Sequence, residues 1–208
     1  MPEIALLHTS PVHVATFEAL RDQIAPELIL TQIVREDLLE NARMQGITQT
    51  LIDDVCTTIH STHAPVICTC TTLGEIAETA GAIRIDRPMM QQAAQASGPI
   101  LLVYALASTA DTSRTLLQAA LDAVENPAEI RTLDLGEFWP LFEAAEHTAF
   151  AACIAGAVRA YVAQNDTRCV VLAQASMATA AQNLSDLGIP VLTSPESALR
   201  AAIGTVSE

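Results

Sequence analysis

Apolar positions along the chain alternate between two rhythms. Short runs with strand character are separated by longer stretches in which apolar residues recur every three or four positions. In the first half the strand runs are 3–7, 28–34, 65–70 and 82–86. Helical stretches follow them at 11–24, 35–61, 72–80 and 88–96. In the second half the strand runs are 100–106, 129–135, 169–174 and 190–193, with helices predicted over 109–124, 137–164, 177–187 and 195–203. Gly81, Gly98, Asn126-Pro127, Asn165-Asp166 and Gly188 punctuate the series as turn signals.

The second half repeats the first. Each half reads strand, helix, strand, long helix, strand, helix, strand, helix. Ile4 corresponds to Leu101, Leu28 to Ile130, Cys70 to Gln174 and Ile85 to Val191, an offset of about 100 residues throughout. A proline opens the last helix of each half, Pro88 and Pro195. This order predicts an α/β fold of two pseudo-symmetric lobes, each a mostly parallel sheet flanked by helices, with the active site in the cleft between them. Residues 1–97 plus the C-terminal helix 195–208 form one lobe and 98–194 the other. Ligands of such sheets bind outside the carboxyl ends of the strands.

Composition supports this. Half of the 208 residues are apolar and only 3% are aromatic, so Ala, Leu, Ile and Val build the core. Aliphatic strands covered by Ala-rich helices suit parallel sheets. A net charge of −14 repels nucleic acid and anionic membrane, so neither is an expected partner. No apolar run reaches the roughly 20 residues of a membrane span, and no basic export leader opens the chain. Five cysteines, an odd number in a chain of this size, point to a reduced cytoplasmic setting.

The chemistry concentrates at strand ends. In Val66-Ile67-Cys68-Thr69-Cys70-Thr71-Thr72-Leu73-Gly74-Glu75, alternation puts Cys68 and Cys70 on one face, with Cys70 last. Thr72 and Glu75 have capping-box spacing, which predicts a helix starting at Thr72 with Cys70 just before its N-terminus. Free amides and the helix dipole there favour a thiolate, and Thr71 and Thr72 add hydroxyl donors. A thiolate beside an anion cradle suits holding a carboxylate and moving a proton from the adjacent carbon. Cys68 reads as plain core, as do Cys56, Cys153 and Cys169. No metal site is expected: His60 and His63 lie at the far end of the strand from Cys70.

The matching strand end of the second half carries Gln174, followed by Ala175 and Ser176. A buried Gln needs partners, either ligand oxygens or nearby backbone. The first strand of each half ends in polar residues too: His8-Thr9-Ser10 and Ser108-Thr109. These hydroxyls cap helices or bind substrate, and His8 carries a proton, orients a ligand or is structural. Asp86-Arg87-Pro88 reads as a structural turn entering a helix.

With these residues in place, the sequence resembles the aspartate/glutamate racemase superfamily, which includes hydantoin racemases, maleate isomerases and arylmalonate decarboxylase. The resemblance rests on Cys70-Thr71-Thr72-Leu73-Gly74, Ile85-Asp86-Arg87-Pro88-Met89, Val171-Leu172-Ala173-Gln174-Ala175-Ser176-Met177-Ala178 and Ile4-Ala5-Leu6-Leu7-His8-Thr9, and spans nearly the whole chain. It implies a cofactor-independent enzyme with no pyridoxal phosphate and no metal. In the racemases, two cysteines flank the α-carbon, one removing its proton and the other reprotonating the opposite face. Cys70 matches the first cysteine, and Thr71 and Thr72 match carboxylate-binding neighbours. His8 and Thr9 fall where glutamate racemases carry an acidic residue and a serine. Ser108 and Thr109 fall in a second hydroxyl-bearing loop.

The departures are informative. Gln174 stands in place of the second cysteine, and Ser176 where glutamate racemases have a histidine. An amide transfers no proton near neutral pH, so a symmetric two-thiol racemase is excluded. The expected function is single-thiol proton transfer on a small carboxylate or related carbon acid, isomerase- or decarboxylase-like. Expected substrate-binding residues are Thr71, Thr72, His8, Thr9, Ser108, Thr109, Gln174 and Ser176. The alternatives are a non-catalytic small-acid binding protein, and a racemase whose second base is His8 or another non-cysteine group. Relatives by resemblance imply a homodimer or larger homo-oligomer.

Overall fold

A computed structural model describes residues 2–206, apart from the side chains of Ser108 and Val206. Two compact units are present. One runs to Pro88 and resumes at Pro195; the other is Met89–Ser194.

The first unit holds β1 (Glu3–His8), α1 (Val12–Ile24), β2 (Ile29–Val34), α2 (Glu36–Gln45), α3 (Gln49–His60), β3 (Val66–Cys68), α4 (Gly74–Thr79) and β4 (Ile83–Arg84). Its sheet has the order β2-β1-β3-β4, all neighbours parallel. The register sets Leu7 beside Cys68, and Cys68 beside Arg84. After α5 (Arg87–Ala93), the second unit holds β5 (Ile100–Tyr104), α6 (Ala107–Ala123), β6 (Ile130–Asp134), α7 (Trp139–Glu143), α8 (His147–Val162), β7 (Cys169–Leu172) and β8 (Val191–Thr193). Its sheet repeats the first: β6-β5-β7-β8, again parallel. The C-terminal helix α9 (Ser194–Val206) follows. The expected α/β architecture of two parallel-sheet lobes is therefore present.

The inner strands are buried on both faces, which is why they read as continuous apolar runs. In the first sheet, Ala5, Leu7, Val66 and Cys68 pack on Leu38, Leu51, Val55 and Ile59 of α2 and α3. In the second sheet, Leu101, Val103, Val170 and Leu172 meet Phe150, Ile154 and Val158 of α8. On its other face, Ile100, Leu102, Cys169 and Val171 meet Leu116, Leu117 and Leu121 of α6. Met89, Met90 and Ala93 of α5 join this last core. Their burial carries α5 into the second unit, so the units divide after Pro88 rather than after residue 97.

Both long helices expected from the sequence are interrupted. The stretch 35–61 becomes α2 and α3, because Gly46 ends α2 with φ +75 and Thr48 caps α3 by accepting from Leu51 N at 3.3 Å. The stretch 137–164 becomes a 3₁₀ turn at Gly136–Phe138, then α7 and α8, with Ala145 at φ +60 between them. The helix expected over 177–187 is a 3₁₀ segment, Ala175–Leu184, which buries Met177, Ala180 and Leu184. Among the described residues no helix is long and apolar enough to cross a membrane.

Candidate functional site

In the first unit the strands β1, β3 and β4 end side by side. Thr69 N donates to Leu7 O at 3.0 Å and Ile85 N to Cys68 O at 3.1 Å, carrying the ladder one step past β3. Cys70 follows immediately. Its side chain is 6% exposed and packs with Cys68, Leu73, Ala77 and Ala82 on the α3/α4 face of the sheet. Cys68 is fully covered, and burial pushes its thiol up to about 12, so it stays protonated and inert.

The capping box does not form. Helix α4 starts at Gly74, has six residues, and its N-cap Leu73 makes no side-chain cap. Cys70 therefore stands four residues before a six-residue helix and not at the helix N-terminus that the capping box predicts. The start is displaced because residues 71–73 turn first, with Gly74 N donating to Thr71 O at 3.2 Å. Thr71 is partly exposed and Thr72 exposed in that turn.

His8 lies elsewhere. Strand alternation turns it to the face opposite Leu7 and Cys68, where its ring is 5.7 Å from Phe17 and 6.3 Å from His13 of α1. It is fully buried and both ring nitrogens are engaged. Its Nε2–H donates to Gln32 Oε1 at 2.7 Å, which leaves Nδ1 of the neutral ring to accept from the Thr69 hydroxyl at 2.9 Å. The amide nitrogen of Gln32 is buried with no partner among the described residues. The ring ties β1, β2 and β3 together, and the structure does not bring it to Cys70. Thr9 beyond it is also buried.

Burial lowers the pKa of His8, and burial with the neighbouring His8 lowers that of His13 to about 4. Between about 6.5 and about 4 the unfolded chain thus binds more protons than the folded one. The resulting stabilisation is complete above pH 6.5 and is lost as pH falls through the folded values. Stability is expected to fall by roughly 1.4 kcal/mol per pH unit from His13 in that window, with His8 adding a loss of the same sign. Urea titrations at pH 7, 5.5 and 4.5 check this, and His13→Gln should flatten the slope. A slope unchanged by that substitution would assign the acid loss to other groups.

In the second unit, Val103 pairs with Leu172, as Leu7 pairs with Cys68 in the first. Gln174 thus has the same place as Cys70, two residues past the pairing. Its Oε1 accepts from Ala105 N at 2.6 Å and Leu106 N at 3.0 Å, so its carbonyl partners are nearby backbone. Thr109 sits in the first turn of α6, its N–H donating to Leu106 O at 2.9 Å. Ser108 is in the same turn, with its side chain outside the described residues. Ser176 Oγ is buried with no partner among the described residues.

No protein-family model and no curated protein matches this sequence. Solved structures do. An aspartate racemase homologue from Pyrococcus horikoshii is similar at a TM-score of 0.73 over 100% of both chains, with 17% identity. Allantoin racemase from Klebsiella pneumoniae gives 0.68 over 100% of this chain and 88% of its own, with 16% identity. Unliganded arylmalonate decarboxylase gives 0.58 over 98% and 92%, with 15% identity. The chain has the racemase-type fold. All three neighbours stand in the aspartate/glutamate racemase superfamily that the motifs resemble.

One feature of this racemase-type fold escaped the sequence reading. Arg84 and Asp86, 8% and 1% exposed, form a bidentate ion pair at 2.6 and 3.0 Å beyond β4. The pair lies under the start of α4: a Cβ on Gly74 would meet Arg84 Cγ and Nε at 3.0 Å. A side chain at Gly74 would crowd Arg84 and make it shift. The signal available in sequence was the i, i+2 spacing of opposite charges at the end of an apolar strand. Arg87, by contrast, pairs with Glu78 at a partly exposed position.

Proposed function

We propose that this chain is a cofactor-independent enzyme of the racemase superfamily, acting on a small carboxylate or related carbon acid through one thiol, Cys70. The observation that carries the reading is the place of Cys70 in a racemase-type fold. It stands two residues past the carboxyl end of the inner strand β3, with Thr71 and Thr72, part-exposed and exposed, directly after it. Parallel α/β sheets bind ligands at that edge.

In this reading Thr71 and Thr72 donate to the substrate carboxylate. The Cys70 thiolate takes the proton from the adjacent carbon, and the electron pair passes into the carboxylate as an enediolate. In a β,γ-unsaturated substrate the electron pair extends to the γ-carbon, and returning the proton there shifts the double bond and isomerises the substrate. In the decarboxylating variant the carbon–carboxylate bond breaks first, carbon dioxide leaves with no electrons from the bond, and the Cys70 thiol protonates the carbanion. With Gln174 in place of a second thiol, both proton movements use one group, which favours isomerisation or decarboxylation over racemisation.

The test is solvent exchange. In D2O, a panel of small α-hydroxy, α-amino and α-aryl carboxylates is followed by NMR for deuterium at the α-carbon. Loss of carbon dioxide from the malonates of the same panel is measured alongside. Turnover that requires Cys70 supports the proposal; full turnover by Cys70→Ala would end it. The 6% exposure of Cys70 favours a second reading, a non-catalytic binder of small acids on the same scaffold. Saturable binding of a panel member with neither exchange nor decarboxylation would establish that instead.

A further inference from the structure

Gln174 is held in a way that selects what it can bind. Its backbone is fixed on both sides: Ala173 N donates to Val103 O at 2.9 Å, and Gln174 O accepts from Met177 N at 2.9 Å. The tip is fixed too, through the two backbone N–H groups of Ala105 and Leu106 that meet Oε1. Only an oxygen can satisfy two donors, so the carboxamide cannot turn over. Nε2 therefore faces away from this corner with two N–H donors and no acceptor. Among the described residues it has no protein partner, and Gln174 is partly exposed.

An unrestrained glutamine offers a donor or an acceptor as the ligand demands. This one offers donors alone, in one orientation, with the entropy of ordering already met by the fold. The group it prefers is a ligand oxygen rich in lone pairs, and a carboxylate is the strongest such partner.

We propose that Gln174 is a locked hydrogen-bond donor for a ligand carboxylate, its own oxygen serving as the latch that holds the corner between β5 and α6. The choice of ligand class rests on the proposed small-carboxylate function; the latch does not.

Gln174→Glu separates the two halves. One carboxylate oxygen keeps both backbone donors, while the other turns a donor into a negatively charged acceptor that repels a carboxylate. Gln174→Ala removes both halves. The probe is malonate, added to the full chain. Its binding is read from the side-chain amide resonances of Gln174, assigned by their loss in Gln174→Glu, and its affinity is measured by calorimetry. Malonate is expected to shift those resonances. Gln174→Glu should weaken malonate at least about tenfold, the size of one hydrogen bond to a charged group, while keeping the urea midpoint of the parent. Gln174→Ala should lower that midpoint and weaken malonate as well.

Malonate bound equally well by Gln174→Glu, or unshifted Gln174 resonances, would overturn the donor. A urea midpoint as low in Gln174→Glu as in Gln174→Ala would overturn the latch. Malonate shifts at Gln174 without Cys70-dependent turnover would sustain this inference and remove only the proposed chemistry.

Discussion

Cys70→Ser is expected to slow turnover of the true substrate roughly 10²–10⁴-fold, the span that a positioned acid–base group contributes. The hydroxyl occupies nearly the same space, but an alcohol gives up its proton far less readily than a thiol does. Serine therefore reaches the same carbon without being able to take its proton near neutral pH. Cys70→Ala should lose as much, since neither side chain can take a proton from carbon near neutral pH. The fold tolerates both: the residue is buried beside Leu73, Ala77 and Ala82, and loss of one sulfur from that packing costs about 1–2 kcal/mol. Thermal melts of the variants beside α-proton exchange rates separate chemistry from stability. Rates within a fewfold of the parent would place the reactive group elsewhere.

Asp86→Ala is expected to be the most destabilising substitution of a polar side chain, at about 3–5 kcal/mol. It leaves the Arg84 guanidinium 8% exposed with both bonds to the carboxylate gone. Arg84 cannot swing out freely, because Gly74 closes over its Cγ and Nε. The cost is that of an uncompensated buried charge, so removing both charges should recover most of it. The double variant Arg84→Met/Asp86→Leu is accordingly expected within about 1–2 kcal/mol of the parent. Glu78→Ala, which breaks the more exposed pair with Arg87, should cost about 0–1 kcal/mol. Urea unfolding of the four proteins checks the ranking. A small loss in Asp86→Ala would mean that water reaches Arg84.

Local pattern carried the architecture. The strands β1, β5 and β7 are short aliphatic runs that fit a parallel sheet buried on both sides, and their repetition at a near-constant offset forecast two sheets of one order. The resemblance at Cys70-Thr71-Thr72 and around Gln174 pointed to the fold that solved structures share at 17% identity or less. Helix interruptions were half legible. Gly46 and Thr48 are ordinary stop and start residues inside 35–61, whereas Ala145 belongs to the best helix-forming type and still adopts φ +60. There the packing of Trp139, Phe142 and Phe150 on one another overrides propensity.

By itself the sequence determined the α/β class, the duplication, and the placement of Cys70 and Gln174 at equivalent strand ends. All of these follow from periodicities of two and of three to four residues, which are local. Only the tertiary structure decided which way those strand ends face and what they touch. His8 turns to the side of the sheet away from Cys70, Arg84 and Asp86 neutralise one another beneath Gly74, and the oxygen of Gln174 is claimed by Ala105 and Leu106. Each of these depends on strand register or on backbone groups tens of residues away in the chain, and a hydrogen-bond partner supplied by backbone carries no signature in the sequence.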